Sequence, residues 1–359
     1  MSLHALAATD LIPDLDRFDS IIDARSESEF SLDRLPGAVN WPTLNDAQRH
    51  EIGTTYKQVN PFEARKRGGA IAARNIGDHI ERYVLDKPRD WKPLIYCWRG
   101  GQRSGSLSLV LSQIGFRVSL IEGGYKAFRA ALVADTARIA TRFDYRVVCG
   151  ATGSGKTRLL SALARQGAQV LDLEALANHR SSVLGAIPGL EQPSQKAFDT
   201  RIWDVLRRFD SSRPVYVESE SRKVGNVAVP IGLMDALRQG SCLNLVADHT
   251  QRVALLMEDY AFFARDVEAF CQRLDVLSEL RGKAVVAAWK TSLRLGHVET
   301  VVQDLLERHY DPGYLQSMQR NFLQFGNAQV LVPGGRSPEE MDALALNLLE
   351  HAGQAVRRT

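Results

Sequence analysis

A glycine-rich run in the middle of the chain has the residue types and spacing of a phosphate-binding loop. Residues 150–157 read Gly-Ala-Thr-Gly-Ser-Gly-Lys-Thr, which matches the pattern G-x-x-x-x-G-K-[ST] in full. Glycines let such a loop point its backbone amides at phosphate oxygens, and the start of the following helix adds partial positive charge. We expect Lys156 to reach the terminal phosphates and Thr157 to offer its hydroxyl to Mg²⁺. The predicted phosphate-binding residues are Gly150, Thr152, Gly153, Ser154, Gly155, Lys156 and Thr157.

A loop of this kind binds a diphosphate group, and the sequence leaves open whether that group belongs to a nucleotide or to another diphosphate ester. The acidic partner of a loop-bound Mg²⁺ normally follows a buried strand. Asp172 and Glu218 both stand at the ends of apolar runs. Each could hold the metal or cap a following helix, so the sequence predicts no certain metal ligand and leaves the need for Mg²⁺ open.

The second chemical signal is a cysteine that starts a loop rich in glycine and arginine. An apolar run ends at Cys97, and Trp-Arg-Gly-Gly-Gln-Arg-Ser follows it. Backbone amides at a helix start, together with Arg99 and Arg103, should favour the ionised thiolate. We therefore predict that Cys97 is a catalytic nucleophile assisted by the two arginines. The remaining cysteines are typical of buried structural positions: Cys149, Cys242 and Cys271.

Both loops need strands that end where the chemistry begins, and the hydrophobic pattern predicts such strands. Short apolar runs alternate with helical segments, notably 74–84 and 104–114, which is typical of parallel α/β sheets. After about residue 250 the pattern becomes helical, and a last short strand precedes a terminal helix. The predicted strands lie in residues 18–24, 92–97, 116–123, 145–150, 168–174, 214–220, 242–249 and 327–334.

Composition places the chain among ordinary globular proteins. Its 359 residues are 45% hydrophobic and 24% charged, and 45 Lys and Arg against 42 Asp and Glu leave a formal charge of +3. These values exclude a disordered or fibrous chain, and no apolar run is long enough to span a membrane. Four scattered cysteines do not suggest a disulfide framework or a zinc site. Without a visible secretion signal, we expect a cytoplasmic protein with no membrane partner.

The surroundings of Cys97 resemble rhodanese-like domains. Residues 21–42 contain Asp-x-Arg, Glu-Phe and Pro-Gly-Ala-x-Asn, and residues 123–125 match the Gly-Gly-aromatic motif near the end of such domains. This resemblance implies a cysteine that carries transferable sulfur as a persulfide. One feature departs from the family, because five residues rather than four separate Cys97 from Arg103. The wider loop resembles that of the related dual-specificity phosphatases and implies room for a larger tetrahedral anion or for selenium.

The combination of both motifs in one chain resembles the tRNA 2-selenouridine synthases, over roughly residues 10–330. Matching stretches include 172–174, 178–182 and 218–223. The resemblance implies an α/β fold with a rhodanese-like parallel-sheet domain over residues 1–130. It also implies a P-loop NTPase-like α/β domain over 140–359, whose helical C-terminal part covers about 250–325. Candidate substrate-binding residues in the matching stretches are His179, Arg180, Arg222 and Lys223.

The resemblance further implies a two-step modification of the wobble 2-thiouridine in the tRNAs for Lys, Glu and Gln. The family first geranylates the sulfur with geranyl diphosphate and then replaces the S-geranyl group with selenium from selenophosphate. The phosphate-binding loop would serve the first step, and Cys97, as a perselenide, would serve the second. No tightly bound cofactor is implied, and an enzyme that supplies selenophosphate is the implied protein partner.

Two basic clusters are candidates for the tRNA-binding surface. One is Arg65-Lys66-Arg67, and the other is a helix after residue 282 on which Lys283, Lys290 and Arg294 share a face. Either cluster could instead be an ordinary solvated helix face. Residues 309–314, His-Tyr-Asp-Pro-Gly-Tyr, are interpreted as the end of a helix.

Three other functions are compatible with parts of the sequence. A P-loop kinase with a rhodanese-like regulatory domain would turn over a nucleotide, but no purine-binding signature is visible. A phosphatase would use the wide loop after Cys97 and would leave the phosphate-binding loop unexplained. A sulfur carrier or a tRNA-binding module without catalytic activity would leave that loop unexplained as well.

Overall fold

The computed structural model describes residues 3–356, so residues 1–2 and 357–359 of the two expected domains lie outside the described part. Its strands are β1 (Leu3–Leu6), β2 (Ser20–Asp23), β3 (Ala38–Asn40), β4 (Pro93–Tyr96), β5 (Val118–Ile121), β6 (Tyr145–Cys149), β7 (Gln169–Leu171), β8 (Val215–Glu218), β9 (Lys223–Val224), β10 (Val227–Ala228), β11 (Ser241–Leu245) and β12 (Gln329–Leu331).

The helices alternate with these strands and then dominate the C-terminal part. They are α1 (Ala8–Leu11), α2 (Glu27–Leu32), α3 (Asp46–Gln58), α4 (Pro61–Tyr83), α5 (Gln102–Ile114), α6 (Gly124–Ala140), α7 (Lys156–Arg165), α8 (Leu173–Ala177), α9 (Gln195–Leu206), α10 (Ile231–Gln239), α11 (His249–Asp259), α12 (Ala261–Arg265), α13 (Val267–Leu274), α14 (Ser278–Arg281), α15 (Lys283–Arg294), α16 (Val298–Leu305), α17 (Tyr314–Asn321) and α18 (Pro338–Val356). Among the described residues, no helix is long and apolar enough to cross a bilayer.

The chain divides into two compact units, and the division does not follow the sequence order strictly. The first unit comprises the residues up to Arg138 together with Pro193–Arg207, and the second comprises the rest. Helix α9 stands between β7 and β8 in the sequence, yet it packs in the first unit. There the Trp203 indole donates to the Asp135 carboxylate at 2.9 Å.

The first unit is built on a parallel sheet with the strand order β1-β5-β4-β2-β3. Every residue of β4 is buried, because helices cover both faces of such a sheet. The core includes Ile22, Ile95, Leu107 and Leu111. The predicted strands and parallel α/β architecture are confirmed here, but the predicted start of the helix near residue 74 is wrong. Helix α4 starts at Pro61, since the Asn60 side chain caps it and proline suits its first turn.

The second unit has a parallel sheet with the strand order β12-β11-β6-β8-β7, flanked by the β9–β10 hairpin. Strand β6 is central, so the loop that follows it emerges in the middle of the carboxyl edge of the sheet. Leu159 and Leu163 of α7 pack against Val148 and Tyr216 of the sheet. A second core, in the predicted helical region, is formed by residues such as Phe270, Leu274, Trp289, Leu293 and Leu305.

Candidate active sites

The phosphate-binding loop joins β6 to α7, and its glycines are required by its shape. Gly150, Gly153 and Gly155 have φ values of 155°, 81° and 94°. A Cβ on Gly150 would lie 2.4 Å from the Ser154 hydroxyl oxygen. No side chain caps α7, so its first amides face the loop. The Lys156 ammonium group reaches across and donates to the Gly150 carbonyl oxygen at 2.9 Å, which gives the loop the cationic centre that a phosphate requires.

A buried arginine fixes the position of this loop. Arg252 Nε donates to the Thr152 carbonyl oxygen at 2.8 Å, and Arg252 Nη1 donates to Asp311 Oδ2 at 3.0 Å. Asp311 belongs to the stretch that the sequence suggests is a helix end. The stretch does include the end of a single π-helical turn, Leu306–Tyr310, but it also supplies the carboxylate that orients Arg252. Sequence reasoning missed this pair because its members are far apart along the chain.

The structure separates the roles of the two candidate acidic residues. Asp172 accepts a hydrogen bond from the Ala175 amide at 2.8 Å and is therefore the N-cap of α8. Glu218 ends β8 and is buried; burial raises its pKa, while Lys156 and the nearby Thr157 hydroxyl act in the opposite direction. Of the two, Glu218 is the carboxylate placed next to the residue predicted to bind Mg²⁺.

Glu218 is part of a cluster of three acidic residues that the sequence had not singled out. Oxygens of Glu174, Glu218 and Glu220 lie within 4.8 Å of one another. Burial, and then the charge of Glu218, raise the pKa of Glu174 to about 9 and that of Glu220 to about 8. Burial also raises the pKa of Glu218, although Lys156 opposes this. One signal was available, since Glu218 and Glu220 stand two residues apart at the end of a strand.

This cluster fits a divalent cation. Carboxylate and hydroxyl oxygens are the ligands that Mg²⁺ prefers, and Glu218 Oε1 is buried without a hydrogen-bond partner among the described residues. Three mutually repelling carboxylates beside Thr157 would be stabilised by a positive ion. The donor set is therefore suited to a metal that accompanies a bound diphosphate.

Cys97 lies in a cradle of hydrogen-bond donors at the end of β4. Its side chain is buried, and its sulfur accepts hydrogen bonds from the Gly101 amide at 3.3 Å and from the Ser104 hydroxyl at 3.1 Å. Helix α5 starts directly after Gly101 without a side-chain cap, so further amides point toward this loop. The arrangement stabilises negative charge on sulfur, as a nucleophilic thiolate requires.

The Gly-Gly-aromatic motif holds the Cys97 loop by close backbone contact. A Cβ on Gly124 would lie only 2.3 Å from the Cys97 carbonyl oxygen. The Tyr125 amide donates to that same oxygen at 2.8 Å, and the Lys126 amide donates to the Trp98 carbonyl at 3.0 Å. The motif therefore positions the loop through its backbone.

The two arginines of the loop differ in their surroundings. Arg103 Nη1 donates to Glu29 Oε2 at 2.6 Å, and Arg49 also pairs with Glu29. Burial opposes ionisation of Glu29, but the hydrogen bond and charge of Arg103, together with Arg49, lower its pKa. Arg99 is exposed on the rim of the loop. Arg103 is thus held by an acidic neighbour, whereas Arg99 is free to face solvent.

The Asp-x-Arg motif has a structural role in the first unit. Arg25 and Asp23 form a buried ion pair at 2.6 Å, and Arg25 also donates to the Asp33 carbonyl. The Tyr125 hydroxyl donates to the Asp33 carboxylate at 2.6 Å. Through Asp33, this network connects β2 to Tyr125, the aromatic residue of the Gly-Gly-aromatic motif.

The candidate substrate-binding residues of the second unit do not share one environment. His179 is buried, and burial, followed by the charge of Arg273, lowers its pKa. Arg180 donates to the Asp259 carbonyl at 2.8 Å and lies over the Tyr260 ring. Arg222 and Lys223 are exposed at the β9–β10 hairpin.

The candidate tRNA-binding cations are partly paired with acids. Lys290 contacts Asp275, and Arg294 pairs with Glu268 at 2.8 Å, while Lys283 is exposed. In α4, Lys66 pairs with Glu63 at 2.5 Å, and Arg65 and Arg67 are exposed. The basic stripe on α15 therefore carries less net positive charge than the sequence suggests. The basic cluster on α4 retains more of its positive charge than the stripe does.

Two protein-family models match the regions of the chain that contain the two candidate sites. Residues 143–297 match the family model described as the tRNA 2-selenouridine synthase AAA domain, and residues 7–131 match the rhodanese-like domain. These matches confirm the predicted class of each domain.

Several relatives carry the name tRNA 2-selenouridine synthase, and three of them show the extent of the similarity. The protein of Nitrosomonas europaea is 37% identical over 67% of this chain and 63% of its own length. That of Alcanivorax borkumensis is 30% identical over 77% of this chain and 76% of its own. That of Pseudomonas syringae pv. tomato is 30% identical over 88% of this chain and 93% of its own. The chain therefore belongs to the tRNA 2-selenouridine synthase family.

Proposed function

We propose that this protein converts wobble 2-thiouridine of tRNA to 2-selenouridine in two steps, each carried out by a different unit. The observation that carries the proposal is the presence of two distinct anion cradles in one chain of this family. One surrounds a nucleophilic sulfur, and the other is a diphosphate loop with Lys156 and a carboxylate cluster. A kinase, a phosphatase or a sulfur carrier would use only one of them.

In the first step, the sulfur of 2-thiouridine attacks C1 of geranyl diphosphate. The C1–O bond breaks, its electron pair leaves with diphosphate, and the base releases its N3 proton to solvent. Lys156 and the loop amides stabilise the negative charge that develops on the leaving group. Thr157 and the carboxylates of Glu174, Glu218 and Glu220 would hold a Mg²⁺ ion, which would neutralise further charge on the diphosphate.

In the second step, the Cys97 thiolate attacks the selenium of selenophosphate. The Se–P electron pair leaves with phosphorus, which takes a proton and departs as phosphite. The resulting perselenide attacks C2 of the S-geranylated base, and the C–S bond breaks to release geranylthiol. A small thiol then attacks the Cys97 sulfur, which frees 2-selenouridine and leaves a mixed disulfide. Gly101 and Ser104 stabilise the attacking thiolate, and the exposed Arg99 is available to the incoming anion.

The test is an incubation of the full chain with 2-thiouridine-containing tRNA for Lys, geranyl diphosphate, selenophosphate and a thiol, followed by mass spectrometry of the nucleosides. We expect S-geranyl-thiouridine to appear first and 2-selenouridine to follow, and no 2-selenouridine when geranyl diphosphate is omitted. Equal formation of 2-selenouridine without the prenyl donor would contradict the two-step order. We further propose that the protein acts in the cytoplasm, because its proposed tRNA substrate is there.

Identifying the phosphorus product tests separately whether a perselenide forms on Cys97. Attack of Cys97 on selenium yields phosphite, together with a selenium adduct on the protein. Release of orthophosphate alone, with no selenium on Cys97, would instead mean that the loop only binds selenophosphate while its selenium attacks the base directly.

A further inference from the structure

An apolar cavity opens beside the phosphate-binding loop within the second unit. It is partly open to solvent, the space within it is about 550 Å³ with that open solvent included, and Thr152 of the loop is part of its wall. Leu256 also lines it, and a Cβ placed on Gly153 would lie only 3.0 Å from Leu256 Cγ. The cavity wall is thus packed directly against the loop, so a chain attached to phosphates on the loop can reach the cavity.

The cavity extends from the loop into the apolar core of the helical region. Leu184, Phe263, Phe270 and Leu305 line it and are members of that core. Phe263 and Phe270 stack with their ring centroids 4.6 Å apart. None of the described residues that line the cavity is charged.

The lining has few polar side chains. The Ser182 side chain lies close enough to the phenol groups of both Tyr260 and Tyr310 to influence their pKa values. Apart from these three residues and Thr152 of the loop, the lining is apolar, so the cavity offers a ligand mainly aliphatic and aromatic surface. A nucleoside would bury its ribose and base there with few hydrogen-bond partners, which is costly. A hydrocarbon chain gains free energy from the same burial.

We propose that this cavity receives the hydrocarbon chain of the diphosphate ester whose phosphates bind the loop, and that α16 limits the length of chain accepted. The inference rests on the proposed transfer of a geranyl group, and it assigns the prenyl chain a binding site in the fold. Val298 and Val302 lie one turn apart on α16, line the cavity and are only half-buried. A larger side chain at either position enters the cavity with little disturbance of the core.

The experiment measures binding to the full-length protein by calorimetry, with geranyl diphosphate and inorganic diphosphate as the two probes. In the wild type, geranyl diphosphate should bind at least roughly tenfold more tightly, because its chain is buried. Val302→Phe should remove most of this difference and leave the affinity for inorganic diphosphate within about twofold. Thr300→Phe is the matched control, since Thr300 is exposed on the same helix and outside the lining.

A second variant keeps the test valid if Val302→Phe does not fold. Val302→Ala should widen the cavity and improve binding of farnesyl diphosphate relative to geranyl diphosphate by roughly fivefold or more. Equal effects of Val302→Phe and Thr300→Phe would overturn the inference, as would a wild type that binds both probes equally. A loss of ATP affinity in Val302→Phe would overturn it too, because the cavity would then hold a nucleoside.

The outcomes also separate this inference from the proposed function. A wild type that prefers geranyl diphosphate in the manner described, but never alkylates tRNA, supports the cavity assignment and contradicts the proposed transfer. Alkylation of tRNA by a protein that is indifferent to Val302→Phe supports the transfer and contradicts the cavity assignment.

Discussion

The fold raises the pKa of the three carboxyl groups beside the phosphate-binding loop, of which Glu218 and Glu220 are buried and Glu174 is half-buried. Glutamates in the unfolded chain ionise with a pKa near 4.5, whereas burial and mutual repulsion raise the pKa of Glu220 to about 8 and that of Glu174 to about 9. Between these limits the folded state binds more protons than the unfolded chain. The protonated cluster therefore contributes its full share of the free energy of unfolding below the unfolded pKa of 4.5. That contribution is lost as the pH rises through the pKa values of the folded state.

Replacement of one glutamate of the cluster should reduce the pH dependence of the free energy of unfolding. We expect Glu220→Gln to raise the free energy of unfolding at pH 8.5 by about 1 to 2 kcal/mol without Mg²⁺, and to change it much less near pH 5. Urea unfolding at the two pH values measures the effect. Glu191→Gln, at an exposed position, is the control. Identical pH dependence in Glu220→Gln and wild type would show that the cluster is not electrostatically strained.

A second residue-scale prediction concerns the sulfur cradle. Ser104→Ala removes one of the two hydrogen bonds to Cys97 Sγ, each worth about 1 kcal/mol. Alkylation of Cys97 by iodoacetamide at pH 7 should slow by a factor of roughly 3 to 10. Ser106→Ala is the matched control, because its hydroxyl bonds only to backbone carbonyls of the same helix. If both variants react alike, Ser104 does not support the nucleophile.

At the scale of elements, the approach of the α6 start to the Cys97 loop depends on Gly124. Gly124→Ala combines a φ of +60° with a clash against the Cys97 carbonyl, whereas Gly115→Ala, with φ of +117°, meets nothing within 4 Å. The control should cost about 1 kcal/mol of stability and Gly124→Ala about 3 kcal/mol. Urea midpoints together with Cys97 alkylation measure both effects. Equal costs would mean that the loop adapts freely to a larger residue.

Much of this architecture could be predicted from the sequence, because its signals are local. The apolar runs before Cys97 and before Gly150, and the glycines that follow, predicted two strands that each end in an anion-binding loop. Asp172 and Glu218 looked equivalent in the sequence, since either could cap a helix. Only the fold shows that Asp172 does so, and that Glu174 and Glu220 join Glu218.

Features that depend on distant residues could not be predicted. The Arg252–Asp311 pair joins positions 59 residues apart, and no local pattern marks either one. The apolar cavity has the same composition as core, so its walls are visible only in three dimensions. Likewise, α9 packs with the first unit although its neighbours in the sequence belong to the second.

At the scale of the whole molecule, the two units present their candidate sites in the same structural setting. Each unit has a five-stranded parallel sheet, and its reactive loop follows a strand at the carboxyl edge, where helix starts supply backbone amides. In the proposed function, this edge serves a sulfur nucleophile in one unit and a diphosphate in the other. This division of labour is the central claim, and it makes the two steps separable.

The most direct test assays Lys156→Ala and Cys97→Ser, as full-length proteins, on two RNAs. One RNA carries 2-thiouridine, and the other carries S-geranyl-thiouridine made beforehand. Lys156→Ala should geranylate at least about 100-fold more slowly than wild type, yet selenate the geranylated RNA within about threefold of it. Cys97→Ser should geranylate normally and accumulate that product. Loss of both steps in either variant, or normal selenation by Cys97→Ser, would contradict the assignment of one step to each unit.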